Sequence, residues 1–232
     1  MLRVRHAEDR GSELRHGVRS RLSFSCGDYI DRSHHHFRAL RAINEHRIEP
    51  GERMDRHEHR DMEILSWILS GRLKHEDSFD HTATLGPGQV QCLTSGIGIE
   101  HEESNPDPDL PCRVLQIWVL PSETGGPPRY ATLDLPAEDL QNRLRLIASP
   151  DGHERSLVWK TNTWLRAARL GTGVSVDWIL AEGRHGWIQV TRGQVEVQGL
   201  TLRAGDGAAV SEESLLCLTA QAESEVLLFD LA

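Results

Sequence analysis

Two short segments of the 232-residue chain carry side chains whose types and spacing could hold a metal ion. In GERMDRHEHRDME (51 to 63) His57 and His59 stand two residues apart, and in SGIGIEHEESN (95 to 105) His101 and Glu103 repeat that spacing. On an extended strand side chains alternate faces with period two, so each pair projects to one side while Glu58, Glu100 and Glu102 point away. Three imidazoles and one carboxylate suit a first-row divalent cation, and the absence of nearby cysteine argues against a structural thiolate zinc. Such a centre keeps about one net positive charge and leaves one or two coordination positions open, which favours a bidentate, singly anionic oxygen chelator. Glu63 is a rival carboxylate, because the turn after His59 breaks the parity count and spacing alone does not exclude it.

The elements that must position these side chains read as strands. EILSWILSG (63 to 71) is a near-continuous apolar run ending at a glycine, LGPGQVQCLTSG (85 to 96) opens on a Gly-Pro-Gly turn, and VLQIWVLP (114 to 121) stops at a proline. FRALRAIN (37 to 44) alternates. Short β-branched or aromatic runs cut by Gly, Pro, Asp and Asn, with few 3.6-residue apolar stripes, predict an all-β sandwich or barrel. PSETGGPPRYATLD (121 to 134) has the texture of a crossing between domains, and LPAEDLQNRLRLIAS (135 to 149) allows a short helix through Leu135, Leu140, Leu144 and Ile147.

The second half reads as a distant copy of the first. GWIQVTRGQVEV (186 to 197) resembles EILSWILSGRLKH with Gly193 laid on Gly71, and LRAGDGAAV (202 to 210) resembles LGPGQVQCL with Gly205 on Gly88. That alignment sets Ile179 and Ala181 opposite His57 and His59, and His185 opposite Glu63, so the second copy lacks the histidine pair. The expected division is residues 1–130 for a metal-binding half and 131–232 for a degenerate half without ligands.

Composition bounds the function classes. A net charge of -9 and no Lys/Arg run argue against a nucleic-acid backbone as partner. No apolar stretch is long enough to span a bilayer and the Arg-rich start lacks a signal-peptide core, so a cytoplasmic location is expected. Cys26, Cys92, Cys112 and Cys217 are scattered without CxxC spacing, which predicts free thiols. The His34-His35-His36 run reads as a solvated loop, Trp67 and Trp118 as core, Trp159, Trp164, Trp178 and Trp187 as packing, and Phe24, Phe37 and Met62 as a pocket lining.

The spacing of Gly51, five residues, His57-x-His59, three residues and Glu63 fits the first cupin motif. Pro87-Gly88-Gln89, with His101 and then Asn105 after three residues, approximates the second. More narrowly HEHRDMEILSWILSG, HEDS (75 to 78) and SGIGIEHEESNP resemble the pirin family, bicupin proteins whose bacterial members include quercetin 2,3-dioxygenases. The resemblance implies two stacked jelly-roll-like β-barrels with one divalent metal per chain in the N-terminal one, Fe2+ in the first place, with Ni, Co, Mn, Cu or Zn accepted by the same donors. It takes Glu103 as the fourth ligand, where an ordinary cupin takes Glu63; parity agrees with Glu103, and Glu63 becomes a neighbour of a ligating imidazole. It also implies O2-dependent cleavage of a flavonol bound through its 3-hydroxyl and 4-keto oxygens, with Glu103 as the catalytic base for the hydroxyl proton. Two other readings share the ligands: a non-enzymatic, redox-sensing regulator with a protein partner, and another small-molecule cupin. Met54-Asp55-Arg56 departs from the family pattern, being more polar and bulkier than expected ahead of the histidine pair.

Overall fold

The computed structural model describes all 232 residues. Strand β1 (Leu2–Arg5) opens the chain. The part that carries the histidines contains β2 (Gly11–Arg15), β3 (Val18–Leu22), β4 (Leu40–Ile48), β5 (Arg53–His59), β6 (Glu63–Ser70), β7 (Leu73–Asp77), β8 (Thr82–Leu85), β9 (Gln89–Thr94), β10 (Ile99–Ser104), β11 (Cys112–Val119) and β12 (Arg129–Asp134). The remainder contains β13 (Arg145–Ser149), β14 (Leu157–Val158), β15 (Thr163–Leu170), β16 (Ser175–Ile179), β17 (His185–Arg192), β18 (Gln194–Val197), β19 (Leu200–Arg203), β20 (Gly207–Val210), β21 (Leu215–Ala220) and β22 (Ser224–Leu231). Helix is confined to single turns, so the all-β expectation holds.

Two compact units divide the chain. One comprises Gly11–Asp134 with Trp159–Thr161; the other comprises Met1–Arg10, Leu135–Val158 and Asn162–Ala232. The histidine-bearing unit is a seven-stranded sheet, β12-β9-β6-β11-β4-β3-β2, packed on a four-stranded one, β5-β10-β7-β8. Leu73 and Leu85 of the small sheet meet Ile48, Ile68 and Val114 of the large one in a fully buried cluster. In the other unit the order is β1-β20-β17-β22-β15-β13-β14 on β16-β21-β18-β19. Strand for strand the two orders correspond through β9/β20, β6/β17, β11/β22 and β4/β15 in the large sheets and through the whole of the small sheets. Each unit is thus a cupin-like pair of packed sheets with open edges, the jelly-roll-like arrangement expected from the sequence.

The expected division at 130/131 falls inside β12, all six residues of which pair with β9, from Arg129 opposite Thr94 to Asp134 opposite Gln89. At the corresponding edge of the second unit stands β1, the start of the chain, paired with β20 from Leu2 opposite Val210 to Arg5 opposite Gly207. Backbone donors at a sheet edge are satisfied by whichever strand is at hand, and composition does not reveal which one.

The helix expected between 135 and 149 shrinks to Ala137–Leu140, and Arg145–Ser149 is strand β13. Leu146, Ile147 and Ala148 are all fully buried. Three consecutive buried residues cannot share the single apolar stripe of a surface helix, but a strand covered on both faces accommodates them. The halves correspond as predicted, with one shift of register: Ile179 is 74% exposed and Ala181 is exposed, whereas Trp178 and Leu180 are buried. With Val195, Val197, Leu216 and Leu218 they form an apolar interior in place of imidazoles.

Candidate metal centre

β10 lies between β5 and β7 and brings the two histidine segments together. His101 stands opposite His57 on one side and opposite Asp77 on the other, and Glu103 stands opposite His75. His59, His101 and Glu103 are buried and His57 is half-buried, while Glu58 and Glu100 are exposed, as the period-two reading requires. The parity does not survive along all of β5. Three residues of β10, from His101 to Glu103, span four of β5, from His57 to Met54, so Glu102 faces both Asp55 and Arg56. This β-bulge falls within the Met54-Asp55-Arg56 segment that departs from the family pattern. It lets Met54 and His57 both face inward, and the carbonyl oxygen of Asp55 accepts a 2.7 Å hydrogen bond from Nδ1 of His57. The donor role of Nδ1 leaves Nε2 with its lone pair free for a cation.

The rings of His57, His59 and His101 converge, with centroids 4.6, 4.7 and 4.9 Å apart. Their ligand atoms lie within 4.8 Å of one another. Ligands on one first-row ion sit about 2.0–2.2 Å from it, so small side-chain rotations bring this set to bonding geometry. Nε2 of His59 and both ring nitrogens of His101 are buried without a hydrogen-bond partner, an arrangement that costs about 1–3 kcal/mol per group unless something else is bound there. Burial, aided by His57, holds the pKa of His59 down to about 4; burial with His57, His59 and His75 around it lowers that of His101 to about 2. Both are therefore neutral at pH 7, the state a metal ligand needs. The donor set fits a divalent transition cation.

Glu103 is fully buried and ringed by donors. Ser66 Oγ at 3.0 Å and the Gln91 amide donate to Oε1, and the Gln116 amide donates to Oε2 at 2.8 Å. Each amide is itself oriented: Trp118 Nε1 donates to the carbonyl oxygen of Gln116 at 2.8 Å and the Tyr130 hydroxyl to that of Gln91 at 2.9 Å. Burial pushes the Glu103 pKa up, against the opposing pull of His75 and these donors. An ionised carboxylate has about four acceptor positions; three are taken, which leaves one on Oε2 for a cation or a proton.

Glu63 is buried but belongs elsewhere. Ser66, three residues along the same strand, reaches Glu103 inside the unit, so an odd separation turns Glu63 to the other face of β6. There Thr94 Oγ1 donates to its Oε2 at 2.7 Å and the Lys160 backbone N–H donates to its carboxylate. Burial raises its pKa to about 7. The expectation that Glu63 supports a ligating imidazole is thereby corrected: its hydrogen bonds run to Thr94 and Lys160.

Two further residues border the site, one without a role assigned from the sequence and one expected in the core. His75, from the HEDS segment, is fully buried, stacked on Tyr130 at 4.6 Å, with its ring 5.5 Å from that of His101. The signal for it was present, since His75 and Asp77 repeat the period-two spacing. Trp118, expected as core, is half-buried and sets its ring edge-on to His59 at 4.9 Å. Beyond Trp118 opens a cavity of about 480 Å³ lined by Cys26, His35, His36, Arg41 and Met62. Met62 thus lines a pocket as expected, and the exposed His35 and His36 border it, whereas Phe24 is core, 1% exposed, and Phe37 is not among the lining residues. All four cysteines are free, as predicted.

Comparison with known proteins agrees with this geometry. Residues 3–119 match the Pirin family profile and residues 146–231 match the Quercetinase C-terminal cupin domain. A quercetin 2,3-dioxygenase of Escherichia coli K12 is 38% identical over 232 residues, covering all of this chain and 99% of the relative. The crystal structure of YhhW from Escherichia coli superposes with a TM-score of 0.96 at 34% identity, covering 100% of this chain and 98% of that one. A structure of bacterial pirin YhhW in complex with nickel(II) gives a TM-score of 0.95 at 35% identity, covering 100% and 99%. With both units matched and the likeness running the full length, the chain belongs to the pirin family.

Proposed function

We propose that this chain is a metal-dependent dioxygenase that cleaves a flavonol such as quercetin with O2. The observation that carries the reading is the convergence of His57, His59 and His101, with buried ring nitrogens that have no protein partner. A relative named quercetin 2,3-dioxygenase at 38% identity over the whole chain supports the substrate class. The metal ligands in this reading are His57, His59, His101 and Glu103. A divalent cation bound there supplies a Lewis acid to a pair of neighbouring oxygens, and the YhhW nickel complex shows that a close relative accepts such an ion.

The protein's own part is positioning. Gln91, Gln116 and Ser66 hold Glu103 so that its one remaining acceptor position faces the site, from which it takes the substrate's hydroxyl proton or binds the cation. His57 stands on the solvent side, half-buried, where a ligand arrives. No helix is long and apolar enough to cross a membrane, and we place the protein in the cytoplasm, with a small-molecule chelator and O2 rather than nucleic acid as its partners.

Incubation of the metal-replete protein with quercetin, in air and under argon, tests this. Loss of the flavonol absorbance band with release of carbon monoxide is expected in air and not under argon. Absence of any oxygen-dependent loss would turn the reading toward a regulator that uses the same ligands to engage a protein partner.

A further inference from the structure

We propose that His75, His101 and Glu103 form a second, inner coordination position for the same divalent cation, which shares His101 and Glu103 with the outer position built on His57 and His59, so that one ion occupies one position at a time. The inference rests on the reading that this pocket holds a metal, and adds a ligand and a location to it.

The three side chains come from facing positions of β7 and β10, and their ligand atoms lie within 4.8 Å of one another. They are 0%, 1% and 0% exposed, so water does not satisfy them. Nδ1 of His75, like both nitrogens of His101, is buried with no hydrogen-bond partner. Its other nitrogen, Nε2, lies 3.2 Å from Oδ2 of Asp77, itself fully buried. Asp77 is fixed in turn by the backbone N–H groups of Phe79 at 2.9 Å and His81 at 3.1 Å. A carboxylate on one ring nitrogen makes that nitrogen the donor and leaves the opposite one a bare lone pair, the arrangement that commonly stands behind a metal-bound histidine. Stacking on Tyr130, with the rings 16° from parallel, locks the orientation of that lone pair. Glu103 offers its one unoccupied acceptor position on Oε2.

The two positions differ in access. The outer set includes half-buried His57 and remains open to an incoming ligand, whereas the inner set is sealed by burial and retains the ion without presenting it. Because His101 belongs to both, its loss removes both; loss of His57 and His59 leaves the inner one.

Equilibrium dialysis of the full-length protein against Co2+, with the visible d–d spectrum as a second readout and circular dichroism as the fold control, decides the matter. The His57→Ala/His59→Ala variant is expected to bind close to one Co2+ per chain at reduced affinity and with an altered spectrum. Adding His75→Ala is expected to weaken that residual binding by a further tenfold or more, and His101→Ala to abolish binding in any background. His75→Gln, which preserves volume, replaces His75→Ala should the latter lose the native dichroism. The inner position is overturned if the folded double variant binds no more Co2+ than His101→Ala, or if its binding is indifferent to His75. Failure of the wild-type chain to take up Co2+ overturns instead the metal reading on which this rests.

Discussion

Glu103 and Glu63 are both buried glutamates near the histidines, and their neighbours give them different tasks. Glu103 meets two oriented amides and a hydroxyl inside the unit; Glu63 meets Thr94 and the Lys160 backbone on the opposite face of β6. Glu103→Gln is therefore expected to lower Co2+ affinity at least tenfold, while Glu63→Gln leaves it within about twofold of wild type, as equilibrium dialysis would show. Glu63 carries a stability signature instead. Its folded-state pKa, raised by burial from the usual 4.5 to about 7, means that the folded chain retains a proton the unfolded chain has lost. Stability on this account is full below about pH 4.5 and declines as pH rises through 7, by about 3 kcal/mol once both states are ionised. Thermal melts of Glu63→Gln should lie above wild type at pH 8 and converge with it near pH 5; a gap independent of pH would refute the assignment.

At the scale of elements the decisive feature is the bulge in β5. Regular alternation places His57 and His59 on one face, but the extra residue between Met54 and His57 is what turns the Asp55 carbonyl onto His57 Nδ1. Deleting Arg56 restores regular alternation with Met54 and His57 still inward, and removes an exposed side chain 3.9 Å from Glu100 whose ion pair contributes little. The deletion should leave the melting temperature within about 2 °C of wild type yet weaken Co2+ binding about tenfold, since His57 loses the acceptor that orients it. Strands β6, β9 and β11 were legible because their apolar runs end at glycine, turn or proline. The stretch at Arg145–Ser149 was misread as helical because its burial on both faces depends on β15 and the rest of its sheet, which a local window does not contain. His75 was passed over for a related reason: its spacing was visible, but its meeting with His101 depends on how β7 pairs with β10.

Across the whole molecule, two units of matching strand order have diverged in what fills them. The interior of one is lined by imidazoles, glutamines and Glu103; that of the other by Trp178, Leu180, Val195, Val197, Leu216 and Leu218. A ligand that binds only the folded state stabilises it by about 2.7 kcal/mol at a hundredfold excess over Kd. Added Co2+ should accordingly slow amide hydrogen exchange in β5, β7 and β10 and leave β16, β18 and β21 unchanged. Equal protection in both units would contradict a metal centre confined to one.

By itself the sequence determined the ligand types, the period-two pairing of His57 with His59 and of His101 with Glu103, the strand-dominated class and the degenerate repeat. All of these are local or periodic properties, written in residues a few positions apart. Tertiary structure alone decided that Glu63 faces away from the site, that β1 occupies the edge corresponding to β12, that Trp118 touches His59 and that His75 meets His101 and Glu103. Those outcomes follow from which strand pairs with which and in what register, and register is set by the sum of long-range contacts rather than by any one segment.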